Sequence, residues 1–78
     1  MAVNAYILIQ TEVGKANDVV TAARTVEGVS AADEVTGPYD VIVRCAAASV
    51  DDLGAMVIGA IQKVPGSTRT LTCPVVNF

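Results

Sequence analysis

Tyr39 and Asp40 stand side by side at the end of Thr36-Gly37-Pro38-Tyr39-Asp40, near the middle of a 78-residue chain. The stretch brings together a turn former, a large ring and a carboxylate, and few other places in the sequence do so. A carboxylate accepts strong hydrogen bonds from cationic donors. A tyrosine ring covers apolar groups while its hydroxyl stays available for hydrogen bonding. Gly-Pro is turn punctuation, and Pro38 both fixes its own φ and biases Gly37 away from the α region. The flanks, Val35 before and Val41-Ile42-Val43 after, are β-branched and suit strands. The stretch therefore caps a hairpin, and a plain hairpin turn would account for Gly37 and Pro38. It needs neither Tyr39 nor Asp40, so the turn is also expected to form part of a ligand site.

Other chemistry is scarce. The chain has no His, which removes imidazole metal sites and His-based acid–base catalysis. Asp33, Glu34 and Asp40 are the only central carboxylates, and no nucleophile–base pair stands out. Cys45 and Cys73 fall in strand-like segments among apolar residues and Thr, and read as small buried hydrophobes without a disulfide. No metal or cofactor is expected. Net charge is −3, and the five cations Lys15, Arg24, Arg44, Lys63 and Arg69 are scattered. Nucleic-acid binding needs a basic face, so direct contact with DNA or RNA is not expected. No run reaches the roughly 18 apolar residues that span a bilayer, and the N-terminus lacks the pattern of a signal peptide. The expectation is a cytoplasmic protein with no membrane contact.

The length fits one domain over residues 1–78. A domain this small buries only about 60–65% of its unfolded surface and is marginal alone. Yet 53% of the residues are hydrophobic and mean hydropathy is +0.54. Self-association would use the excess.

The elements that must position the turn follow from periodicity. Ala2 to Thr11 reads as a strand with Val3, Ala5, Ile7 and Ile9 on one face and Asn4, Tyr6, Leu8 and Gln10 on the other. Large apolar groups on both faces indicate a central strand. Ala16, Val19, Val20, Ala23 and Val26 mark one face of a helix that ends at Glu27-Gly28. Val29 to Thr36 and Asp40 to Ala47 are strands on either side of the turn, the first wet at Asp33-Glu34. Ser49-Val50-Asp51-Asp52 has the shape of a capping box. It opens a helix with the stripe Leu53, Met56, Val57, Ala60, Ile61 and Val64, stopped by Pro65-Gly66. Ser67 to Val76 is the last strand, with Pro74 marking an edge. The two helix exits, Val26-Glu27-Gly28 and Val64-Pro65-Gly66, form a weak internal repeat. Two β-α-β halves imply an α+β ferredoxin-like βαββαβ sandwich: an antiparallel four-stranded sheet, its first and third strands central, with two helices on one face. The other face, carrying Tyr6 and Leu8 or the opposite set, needs a partner, so dimerisation through the sheet follows.

At this point the chain resembles the ligand-binding and oligomerisation (RAM) domain of the Lrp/AsnC family of transcription regulators. The matching residues are Val26-Glu27-Gly28-Val29, then Val35-Thr36-Gly37-Pro38-Tyr39-Asp40, Val41 to Arg44, the exit Pro65-Gly66 and Arg69-Thr70-Leu71-Thr72. Together they span nearly the whole chain, and the Thr-Gly-x-Tyr-Asp element is the most specific of them. Two features depart from the family pattern. Family regulators place a helix-turn-helix domain before this module, whereas this chain starts at the first strand and so resembles the stand-alone form. Ser67 follows Gly66 where the family more often has Val.

The resemblance implies dimers paired through their sheets and octamers built from dimers, with an effector, often an amino acid, bound between dimers near the turn. Carried over, the ligand-binding residues are Gly37, Tyr39, Asp40, Thr70 and Thr72, and the dimer interface includes Tyr6 and Leu8. The chemistry fits a zwitterion, with Asp40 accepting from an ammonium group and turn amides and Thr hydroxyls donating to a carboxylate. A solvated strand face of β-favouring residues would equally account for Thr70 and Thr72. The leading expectation is a non-enzymatic sensor of an amino acid or related metabolite, able to modulate transcription by co-assembly with a full-length Lrp/AsnC regulator. The alternatives are a small dimeric ferredoxin-like enzyme and an assembly module without a ligand.

Overall fold

Apolar and β-branched residues fill both faces of Val3–Thr11, which forms β1, the strand on which the others assemble. The computed structural model describes residues 2–76, the side chain of Met56 excepted. Helix α1 covers Ala16–Ala23, and strands β2 and β3 cover Val29–Glu34 and Val41–Ala47. Helix α2 opens as an α-helix at Val50–Asp52, widens into a π-helix over Leu53–Ile58 and closes as an α-helix at Gly59–Gln62. Strand β4 is Ser67–Pro74. The strands form one antiparallel sheet of order β2-β3-β1-β4. This is the βαββαβ sandwich that the sequence implies, with the first and third strands central.

One face of the sheet is the core. Ala5, Ile7 and Ile9 of β1, Val41, Val43 and Cys45 of β3, and Ala32 of β2 are buried in a single cluster. The same cluster contains Val19, Val20 and Ala23 of α1 with Leu53, Val57, Ile61 and Val64 from α2 and its exit, so both helices lie on this face. Each fully buried Val or Ile contributes about 1.5–3 kcal/mol, which makes this cluster the main support of the fold. The expected place of Met56 in the α2 stripe lies outside the described residues. The opposite face carries Tyr6 and Leu8 of β1, paired with Arg44 and Ile42 of β3 and with Cys73 and Leu71 of β4. Leu71 is 46% exposed and Tyr6 37%, so within one protomer this face is uncovered.

Both helices stop short of the expected Gly-containing exits. Beyond Ala23 the bonds tighten to i−3, from the Thr25 amide to the Ala22 carbonyl and from the Val26 amide to the Ala23 carbonyl. The Thr25 hydroxyl also donates to the Ala22 carbonyl at 2.7 Å, and such local bonds compete with continued helix. After Gln62, Lys63 and Val64 make the same i−3 bonds. The internal repeat is visible in these exits. Gly28 and Gly66 both have φ +95°, and the following amides of Val29 and Ser67 bond back to Val26 and Val64. At the start of α2, Ser49 is extended and its hydroxyl accepts the Asp52 amide at 3.1 Å, which forms the Ser half of the capping box.

The strands are shorter than their expected spans, since β2 ends at Glu34, β3 begins at Val41 and β4 ends at Pro74. Asp33 and Glu34 are exposed on edge strand β2, as expected. Arg24 covers this edge by donating Nε and Nη2 to the Ala32 carbonyl at 3.1 and 2.8 Å. Filling an edge acceptor in this way hinders pairing with a foreign strand. The expectation that both cysteines are buried holds only for Cys45, whose thiol reaches the Ala5 carbonyl at 3.5 Å and is pushed up in pKa by burial. Cys73 is exposed, because its register opposite Tyr6 puts it on the uncovered face of an edge strand.

Gly28 yields a direct test of the fold. An added Cβ would stand 2.8 Å from the Ala46 carbonyl oxygen and 2.9 Å from Val57 Cγ2, on a backbone that already needs positive φ. The backbone conformation alone costs a non-glycine residue about 1–3 kcal/mol. Gly28→Ala is expected to lose at least that much stability in urea unfolding; a loss below 0.5 kcal/mol (roughly a neutral surface substitution) would contradict this packing.

Candidate functional site

The turn closes through its backbone. The Val35 amide donates to the Asp40 carbonyl at 2.9 Å, and the Asp40 amide donates to the Ile9 carbonyl at 2.9 Å. The 35–40 connection thus bridges β2 and β3 and is also tied to β1. The Asp40 side chain adds a third tie, since its Oδ2 accepts the Thr11 amide at 2.8 Å and the Thr11 hydroxyl at 3.3 Å. On the uncovered side, Gln10 donates its side-chain amide to the Pro38 carbonyl at 3.2 Å.

Two hollows flank this turn. On the uncovered sheet face, Leu8, Val35, Thr36, Gly37, Pro38, Tyr39 and Ile42 line a pocket of about 320 Å³. At the start of α1, Thr11, Glu12, Gly14, Asn17, Glu34 and Asp40 line a second cleft of about 410 Å³. The first is mainly apolar, and the second, which Val13 and Ala16 also line, carries the carboxylates of Glu12, Glu34 and Asp40. Tyr39 is half-buried beside the apolar pocket, whereas the Asp40 carboxylate belongs to the acidic cleft. Among the described residues, no heavy atom beyond Gly37 and its two chain neighbours lies within 4 Å of the place where a Gly37 Cβ would stand, so that side of the turn is open.

Thr70 and Thr72 pair with Ile9 and Ile7, on the helix side of β4. Within one protomer they do not line the pocket that Gly37 and Tyr39 line. The structure therefore places Gly37 and Tyr39 at the apolar pocket, the Asp40 carboxylate in the other cleft, and Thr70 and Thr72 on another element. Tyr6 and Leu8 lie on the uncovered face, where the Arg44 guanidinium donates to the Tyr6 hydroxyl at 3.0 Å and sits 5.5 Å from its ring centre. Sequence reasoning missed Gln10 and Thr11. Their polarity at the end of an apolar strand was the available signal, but nothing local links Thr11 to a residue 29 positions away.

Among the described residues, no group of three or more His, Cys, Asp and Glu side chains could hold a metal ion, and no helix is long and apolar enough to cross a membrane. Residues 4–77 match the Lrp/AsnC ligand binding domain. The chain belongs to this family. A Thermus thermophilus protein of solved structure is 25% identical with a TM-score of 0.89, over 97% of this chain and 95% of its own. A hypothetical protein from Pyrococcus horikoshii is 29% identical with a TM-score of 0.87, over 100% of this chain and 93% of its own. A feast or famine regulatory protein from M. tuberculosis, solved in complex with L-methionine, is 18% identical with a TM-score of 0.81 and shares the fold. This chain covers 51% of that regulator, against 97% of its own length. No curated protein matches the chain.

The contacts of Asp40 make a stability prediction. Hydrogen bonds to a charged acceptor contribute about 1.5–3 kcal/mol, less where solvent reaches them. Asp40→Ala is expected to lower stability by about 1–2 kcal/mol, and Thr11→Val by less, since the backbone amide still donates. Equal unfolding midpoints for wild type and Asp40→Ala would show that the carboxylate does not anchor β1.

Proposed function

We propose that the protein is a non-enzymatic, oligomeric RAM module over residues 1–78 that binds an amino acid or related metabolite at the Gly37–Asp40 turn. The observation that carries this reading is the apolar pocket formed by Leu8, Ile42, Pro38 and Tyr39 around the open side of Gly37, in a chain of the Lrp/AsnC ligand-binding family. The pocket suits an apolar side chain. Asp40 keeps acceptor capacity beyond its two Thr11 bonds, because an ionised carboxylate has about four lone-pair sites. A ligand ammonium group can reach it from the cleft beside α1, directly or through water.

Thr70 and Thr72 complete the site from a neighbouring copy, which agrees with their placement away from the turn of their own protomer. Assembly has a physical basis in the uncovered sheet face, where Tyr6, Leu8, Ile42 and Leu71 stand together. A second copy covering this face forms the dimer, and dimers associate into an octamer around the turns. Co-assembly with a full-length Lrp/AsnC regulator in the cytoplasm would carry the ligand signal to transcription without direct DNA contact by this chain.

Two outcomes test the reading. Leu8→Asp places an unpaired charge in the proposed interface and is expected to convert the protein to monomer in light scattering; an unchanged mass would place the interface elsewhere. In a thermal-shift screen of the amino acids beginning with L-methionine, a binder at one hundred times its Kd is expected to stabilise the native state by about 2.7 kcal/mol. Asp40→Ala should then weaken that binder about tenfold to a hundredfold, and Thr72→Val about fivefold. A confirmed binder whose Kd is indifferent to Asp40→Ala and to Tyr39→Ala would remove the turn from the site.

A further inference from the structure

The turn that we assign to the ligand is gripped by two consecutive residues of β1. In an ordinary strand, neighbours such as Gln10 and Thr11 address opposite faces of the sheet. Gln10 and Thr11 keep this alternation, and the extra residue of the β1–β4 register shift beside them, Thr68, lies on β4. Gln10 reaches the Pro38 carbonyl at 3.2 Å, and Thr11 reaches the Asp40 carboxylate through its amide at 2.8 Å and its hydroxyl at 3.3 Å. Pro38 lines the apolar pocket and Asp40 the acidic cleft, so the turn is held at both hollows.

The same segment is tied to the strand that carries Thr70 and Thr72. The Thr68 hydroxyl donates to the Gln10 carbonyl at 3.2 Å, and the Glu12 amide donates to the Gly66 carbonyl at 2.8 Å. Hydrogen bonds therefore run from the end of β1 to the turn on one side and to the start of β4 on the other. The two-sided grip follows from the ordinary alternation of neighbouring strand residues.

We infer that Gln10 and Thr11 are positioning residues: together they clamp the 36–40 turn in its binding geometry and fix it relative to β4. Neither is required to touch the ligand. The inference rests on the assignment of the turn as the ligand site, but the clamp can be read out without any ligand. A preorganised turn binds more tightly because less ordering remains to be done on binding.

The test compares Thr11→Val, Thr11→Ser and Gln10→Met by amide hydrogen exchange and by titration with L-methionine. The decisive amides are those of Val35 and Asp40, which close the turn. Loss of one neutral hydrogen bond corresponds to about fivefold. The combined Gln10→Met and Thr11→Val variant is expected to speed exchange at Val35 and Asp40 by roughly that factor or more, with the β1–β3 ladder unchanged. Thr11→Ser, which keeps the hydroxyl, should exchange like wild type. Where L-methionine binds, its Kd should rise about fivefold in the combined variant and be restored when position 11 carries Ser and position 10 Gln. Unchanged exchange at Val35 and Asp40, or equal acceleration across the whole sheet, overturns the clamp. If L-methionine does not bind the wild type, that choice of ligand fails, and the clamp is still decided by the exchange data. Faster exchange at the turn with an unchanged Kd would overturn the role of the clamp in binding.

Discussion

Asp40 is the point where three strands meet. Its amide bonds to β1, its carbonyl receives the bond that closes the β2–β3 connection, and its carboxylate holds Thr11 at the end of β1. The two backbone bonds are open to any non-proline residue at this position, and the carboxylate adds the tie to Thr11. With Asp40 in place, the position of the turn is set by the central strand of the sheet, and so by the core in which that strand is buried. The cost is that one carboxylate oxygen is engaged within the protomer. Any external cation shares this carboxylate with Thr11, which limits how far it can draw the side chain away.

A second constraint is the two-faced apolar character of β1. Ala5, Ile7 and Ile9 are satisfied by one layer of helices, and that layer cannot also cover Tyr6 and Leu8. The uncovered face is not uniformly greasy, however. Arg44 stacks on Tyr6 and donates to its hydroxyl, so a cationic group sits among Leu8, Ile42 and Leu71. A partner surface that meets this face must match the polar pair as well as the apolar residues, which favours one register over others. The Arg24 cover on the β2 edge discourages pairing along that edge.

Much of the architecture is legible in the residues themselves. Apolar residues on both faces of β1 place it at the centre of the sheet, and the Pro65-Gly66 and Glu27-Gly28 exits mark the two halves. Early stops of both helices are harder to read, because the apolar stripe continues through Val26 and Val64 while the backbone has already tightened. Alternation in β4 correctly separates Leu71 and Cys73 from Thr70 and Thr72, but it does not say which set faces the helices. Register decides that: Thr70 and Thr72 fall opposite Ile9 and Ile7, at an edge where the helix layer leaves them only half-buried. The partner of Asp40 was not legible, since a contact spanning 29 positions depends on a strand register that no local pattern announces.

The placement of the two hollows constrains how a ligand can bind at all. A small molecule in the apolar pocket of one protomer lies against Tyr39 and Leu8, whereas the Asp40 carboxylate lines the cleft beside α1, and Thr70 and Thr72 stand on β4. Within one protomer these groups do not line a common hollow. In the proposed reading, a second copy brings its own β4 to the turn. A ligand bound in that way binds the assembled form more tightly than the separate protomer, and linkage then requires the ligand to favour assembly by the same factor. Sensing and oligomerisation are in that case one equilibrium.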